Sequence, residues 1–108
     1  MSTVTEYVEQ LKTDINWKYV VKAARENVQI AADRQRLGYH LLGSVFSLTP
    51  SGKYYMPWCS NFTEEEAEED ERWYEALDRV ALEMGGWIEH GEGDPLDLFF
   101  VTDLELEV

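Results

Sequence analysis

Apolar residues recur at helical spacing in three stretches of the chain. Val4, Val8, Leu11 and Ile15 follow the i, i+4, i+7 pattern. Thr3 and Glu6 stand three apart before them as a capping box, so a first helix is expected from Thr3 to about Thr13. Asp14-Ile15-Asn16 breaks the pattern, and Asn16 can cap a new helix. Trp17, Val20, Val21, Ala24, Val28 and Ala31 then form a clean stripe. They predict a second helix from Trp17 to about Arg36, ended by Leu37-Gly38. The third stretch, Asn61–Gly86, organises the rest. Thr63 and Glu66 make another capping box, and Trp73, Leu77, Val80, Ala81 and Met84 form the apolar face. Gly85 and Gly86 end it, because glycine accepts the left-handed cap conformation.

Between and after these helices the pattern is that of strands. Leu41–Leu48 is rich in Leu, Val and Phe, and Thr49-Pro50-Ser51-Gly52 has the composition of a type I turn. Lys53–Met56 then reads as a return strand, giving a hairpin over 41–56 that Pro57 stops. Trp87–His90 is a third strand, followed by the turn residues Gly91–Pro95. From Leu96 the chain alternates, with Leu96, Leu98, Phe100, Thr102, Leu104, Leu106 and Val108 on one side. That predicts a fourth strand, buried on both faces near Phe99–Val101 and running to Val108 within the monomer, with a homodimer as the alternative. The expected fold is a single α+β domain over residues 1–108. Its order is ααββαββ, with a four-stranded antiparallel sheet and helices packed on one face.

Charge changes this picture most. The net charge is −13. Residues 1–58 hold seven Lys/Arg and five acids, for +2, whereas residues 59–108 hold two and seventeen, for −15. Seven of the eight residues from Glu64 to Glu71 are acidic, at Glu64, Glu65, Glu66, Glu68, Glu69, Asp70 and Glu71. Direct binding of nucleic acid or of an anionic membrane is disfavoured, since both are recognised by basic patches. A basic surface of another protein is the natural complement. Seven carboxylates over about 12 Å of helix approach the charge density of duplex DNA, one per about 1.7 Å. A DNA-binding site lined with Lys and Arg would be attracted to such a helix. The simpler reading is that these acids are solvated and serve the helix dipole and solubility.

The remaining chemistry is sparse. His40 and His90 lie in no nucleophile or metal motif, and Cys59 has no local catalytic signature and no partner for a disulfide. No enzyme activity and no cofactor are expected. His90, Glu92, Asp94 and Asp97 cluster around a Gly-rich turn, but their spacing does not match a calcium loop, and no metal is expected. The N-terminus lacks the pattern of a signal peptide, and no apolar run reaches the length of a membrane span, so a soluble cytoplasmic protein is expected. Tyr54, Tyr55, Met56, Trp58 and Phe62 are bunched, as interface residues often are. Either Tyr55 and Trp58 belong to a partner-binding surface, or Tyr54, Met56 and Trp58 face the core and Tyr55 alone is exposed.

The segments LTPSGKYYMPWCSN, TEEEAEEDERW and GGWIEHGEGDPLDLFF resemble short acidic proteins of phage and prophage genomes. The resemblance covers roughly residues 44–100 and carries no site residues. It implies a phage-type inhibitor of a host protein, of the anti-CRISPR or anti-restriction kind, working in the host cytoplasm. The alternative it leaves open is a structural or accessory phage protein that self-associates through its sheet.

Overall fold

The computed structural model describes residues 3–30, 35–53, 63–91 and 96–104. Two helices open the chain, α1 (Val4–Asp14) and α2 (Trp17–Glu26). Both start as their sequences dictate. The Thr3 hydroxyl and the Glu6 carboxylate close a reciprocal capping box, and the Asn16 side chain accepts from the Tyr19 N–H. Short strand β1 (Val28–Ile30) and long strand β2 (Arg36–Ser44) follow. A single helical turn α3 (Val45–Leu48) leads to helix α4 (Glu64–Glu83), which is followed by β3 (Gly86–His90) and β4 (Asp97–Asp103).

The four strands form one antiparallel sheet in the order β1-β2-β4-β3. Helix α2 packs on β2 and β4, α4 packs on β3, and α1 lies against α4. The core fills the space between these layers. Phe100, Leu98, Leu77, Val80 and Val45 are its largest fully buried side chains. Trp17 meets Phe100 edge-on, with ring centroids 5.8 Å apart, and its indole N–H donates to the Leu11 carbonyl at 3.0 Å. That bond ties the end of α1 to the start of α2 without leaving a buried donor unpaired.

The expected architecture is present, but one of its four strands comes from other residues and a second is shifted along the chain. Helix α2 stops at Glu26, ten residues before the expected Arg36. Val28 sits four residues beyond Ala24 and so continues the helical count, yet Val28-Gln29-Ile30 also alternates and is β-branched at both ends. The sheet takes it: Val28, Gln29 and Ile30 pair with Gly38, Leu37 and Arg36, and Asn27 closes the helix with its N–H on the Ala23 and Ala24 carbonyls. Val28 is therefore exposed, not buried in a helix stripe. The strand expected over Leu41–Leu48 begins earlier, at Arg36, and ends at Ser44, whose hydroxyl caps α3 by accepting from the Phe46 N–H. The Thr49–Gly52 turn forms, with the Gly52 N–H on the Thr49 carbonyl at 3.0 Å, but it follows helical turn α3 and not a strand. Lys53 lies outside any strand, and the rest of the expected return strand, Tyr54–Met56, is outside the described residues. The final strand extends to Asp103, and the Leu104 N–H bonds the Arg36 carbonyl. Leu106 and Val108 are outside the described residues.

The two glycines at the end of α4 serve different ends. Gly85 has φ +88°, the left-handed conformation that L-residues avoid. Gly86 is in β3, where a Cβ would lie 2.3 Å from the Val101 carbonyl oxygen and 2.6 Å from the Phe100 ring. Gly85→Ala should lower the unfolding free energy by about 1–2 kcal/mol, the cost of a left-handed non-glycine residue. Gly86→Ala should cost more, because backbone and a buried ring must move. Urea unfolding measures both, and the reverse order would contradict the β3–β4 register. Leu77, 1% exposed, lies at the centre of the α4 stripe. Leu77→Ala should cost about 2–5 kcal/mol through lost burial and the cavity left behind. A loss below about half a kcal/mol would show that the stripe is not core.

Candidate functional site

Helix α4 carries the acidic run on about 30 Å of rod. Its seven acids at Glu64–Glu71 divide into two groups. Three of them work inside the fold. Glu66 closes the capping box with Thr63, and both its carboxylate oxygens meet the Lys53 ammonium, at 3.0 and 2.9 Å. Glu69 accepts the Tyr7 hydroxyl proton from α1. Asp70 is only 5% exposed and accepts from the Ser51 N–H at 3.1 Å and the Ser51 hydroxyl at 2.7 Å. Asp70 therefore belongs to the fold and not to a partner-binding surface. Sequence reasoning places it on that surface because no periodicity marks an acid that a remote serine will satisfy.

The other four, Glu64, Glu65, Glu68 and Glu71, are exposed. They take part in no ion pair or side-chain hydrogen bond among the described residues. Glu64, Glu68 and Glu71 follow the i, i+4, i+7 spacing of one helix stripe, which Glu75 continues, and Glu65 lies beside it. Glu75 is paired with Arg79 at 3.2 Å. The dipole accounts for Glu64 and Glu65, since its effect fades beyond the first turn. It does not account for Glu68 and Glu71. Glu64 to Glu71 spans about 10 Å, over which a duplex would present about six phosphates. The outer face thus presents four carboxylates where the sequence alone suggests seven.

The candidate aromatic contacts Tyr55 and Trp58 lie outside the described residues, as do Tyr54, Met56, Cys59 and Phe62. His40 and His90 have different aromatic partners: His40 meets Tyr19 edge-on at 5.5 Å, and His90 lies against Tyr74 at 5.6 Å. Glu92 and Asp94 of the Gly-rich turn are outside the described residues, and the Asp97 carbonyl accepts the Gly91 N–H at 2.8 Å. Among the described residues no group of three or more His, Cys, Asp or Glu side chains is placed to hold a metal ion. Among the same residues no helix is long and apolar enough to cross a membrane.

Two further features stand out, and sequence pattern singles out neither as a site. One is the open face of the sheet, opposite the helices, where Tyr39 and Phe99 meet edge-on at 6.1 Å and the Trp87 indole donates to Glu89 at 3.0 Å. The other is a cavity of about 330 Å³ between α1, α4, α3 and β2. Val20 of α2 also lines it, and its lining is apolar apart from Gln10, Asp14, His40 and Ser47. No family model, curated protein or solved structure matches the chain.

The Lys53 ammonium, with the Thr63 N–H second, holds the Glu66 carboxyl below the usual glutamate range. The charged form is the one bound in the folded protein. Its contribution to stability is complete above the ordinary glutamate range and is lost as pH falls through the lowered value. A carbon-detected NMR titration of Glu66 should therefore show a depressed midpoint that rises in Lys53→Met. An unchanged midpoint in that variant would show that Lys53 does not hold the carboxylate.

Proposed function

We propose that the chain acts by binding, with the outer face of α4 docked on a basic surface of another protein. The observation that carries this reading is that Glu64, Glu65, Glu68 and Glu71 are exposed together and make no ion pair or side-chain hydrogen bond among the described residues. Like charges so close repel one another, and a helix N-terminus needs only one or two of them. A surface that normally holds phosphates offers the matching charge, so the partner is a nucleic-acid-binding protein and the mode is competition with its nucleic acid. A phage-type inhibitor of host machinery, of the anti-CRISPR or anti-restriction kind, would use its surface in this way in the host cytoplasm.

The second reading is an accessory protein that self-associates through its sheet. It is favoured by the open face, where Tyr39 and Phe99 meet edge-on and neighbouring Leu41 is exposed. Sedimentation across a concentration series separates the two readings, because only the second requires a mass that grows with concentration.

Replacing Glu64, Glu65, Glu68 and Glu71 with Gln should abolish salt-sensitive capture of a partner from bacterial lysate. Stability should change by less than about 1 kcal/mol, as exposed charges contribute little to folding. Capture that is equally strong in the variant at low salt would overturn the proposal.

A further inference from the structure

Strand β2 has two edges, and β1 covers only part of one. β1 pairs with Arg36–Gly38, and the Tyr39 N–H still reaches the Asn27 carbonyl at 3.1 Å. Beyond Tyr39, no described residue pairs with this edge. Backbone groups alternate in direction along an antiparallel strand. The Tyr39 bond fixes the odd residues toward the β1 side, and the Leu104 N–H on the Arg36 carbonyl fixes the even ones toward β4. Leu41, still in register with Phe99, therefore turns its N–H and C=O outward from the sheet. Its side chain is 49% exposed. A bulge follows between Leu41 and Gly43, where Gly43 has φ +144°.

The 330 Å³ cavity opens beside this edge. It touches His40, Leu41 and Leu42 in succession. The bulge breaks the alternation of faces here, and contact with Leu41, whose backbone groups face outward, brings the cavity to the strand's edge. Leu11, Ile15, Leu48, Trp73 and Leu77 form its apolar wall. Asp14 stands at its rim with no ion pair among the described residues, at the carbonyl end of α1, where the helix dipole adds to its negative charge.

We infer that this edge and cavity form a docking groove for an extended peptide of a partner protein, one that alternates apolar and basic residues. The peptide adds a strand to β2 through the outward amide groups of Leu41, places an apolar side chain in the cavity, and sets a Lys or Arg against Asp14. A second copy of the chain is the poorer occupant, because it brings its own −13 charge to a negative rim. The groove lies on the Trp73 and Leu77 side of α4, opposite the Glu64–Glu71 stripe, so it stands independently of the acidic docking face.

The test titrates acetylated, amidated heptapeptides that alternate Lys with Val, Leu, Phe or Trp into isotope-labelled protein. At least one should shift the amide resonances of Tyr39–Gly43 saturably. Methylating alternate backbone nitrogens of the best peptide, which keeps its charge, should weaken it by about tenfold or more, since main-chain bonds carry such binding. Leu41→Pro, which removes an outward N–H and no ladder bond to β4, should weaken it similarly. Should that variant not fold, the methylated peptide decides alone. Gln at Glu64, Glu65, Glu68 and Glu71 should leave the affinity nearly unchanged at physiological salt. No shift at millimolar peptide, equal binding of the methylated peptide, or shifts confined to the outer face of α4 would overturn the inference. So would self-association of the protein through the same Tyr39–Gly43 amides.

Discussion

Phe100 is the residue on which the two layers close. It is fully buried in β4, Trp17 of α2 meets it edge-on, and the bare Cα of Gly86 in β3 leaves room for its ring. A second close approach lies beside it. A Cβ on Gly38 of β2 would fall 2.1 Å from the Ala24 carbonyl of α2. Helix and sheet therefore approach backbone to backbone at one point and ring to ring at the next. Leu98 and Phe100 lie against the helices while Val101 turns to the other face, and that alternation sets which side of every neighbouring strand is inside.

The long helix shows how one run of like charge can serve two ends. Glu66, Glu69 and Asp70 hold Lys53, Tyr7 and Ser51, and so fasten the segment before α4 and helix α1 to the rod. Lys12 and Glu83, 2.9 Å apart, tie the two helices again near the far end. Among the described residues no buried side-chain polar atom lacks a partner. The inward acids are thus hydrogen-bonded by specific partners, and the outward ones are left to solvent or to another molecule.

The helices were legible because capping and periodicity agree in them. Thr3, Asn16 and Thr63 cap where expected, and the Trp73–Val80 face is core. The exchange of strands has a physical reason: Val28-Gln29-Ile30 satisfies a helical and an alternating pattern at once, and only pairing with Arg36–Gly38, made at long range, decides between them. Leu41–Leu48 reads as a strand throughout because Ser44 as a cap gives no apolar signal. Among the candidate site residues, exposure at Glu64, Glu65, Glu68 and Glu71 follows from helix geometry alone. The inward turn of Asp70 depends on Ser51, nineteen residues away. No local pattern carries that information.

The contacts of Ser51 and Lys53 with α4 bear on how this chain can change over time. Lys53 is bound to Glu66, Ser51 to Asp70, and Thr63 caps the same helix turn. Losing one partner of such a pair leaves an acid of α4 without the group that satisfies it. Change at Ser51 or Lys53 is therefore tied to change at Asp70 or Glu66, and these positions can drift only in step with α4.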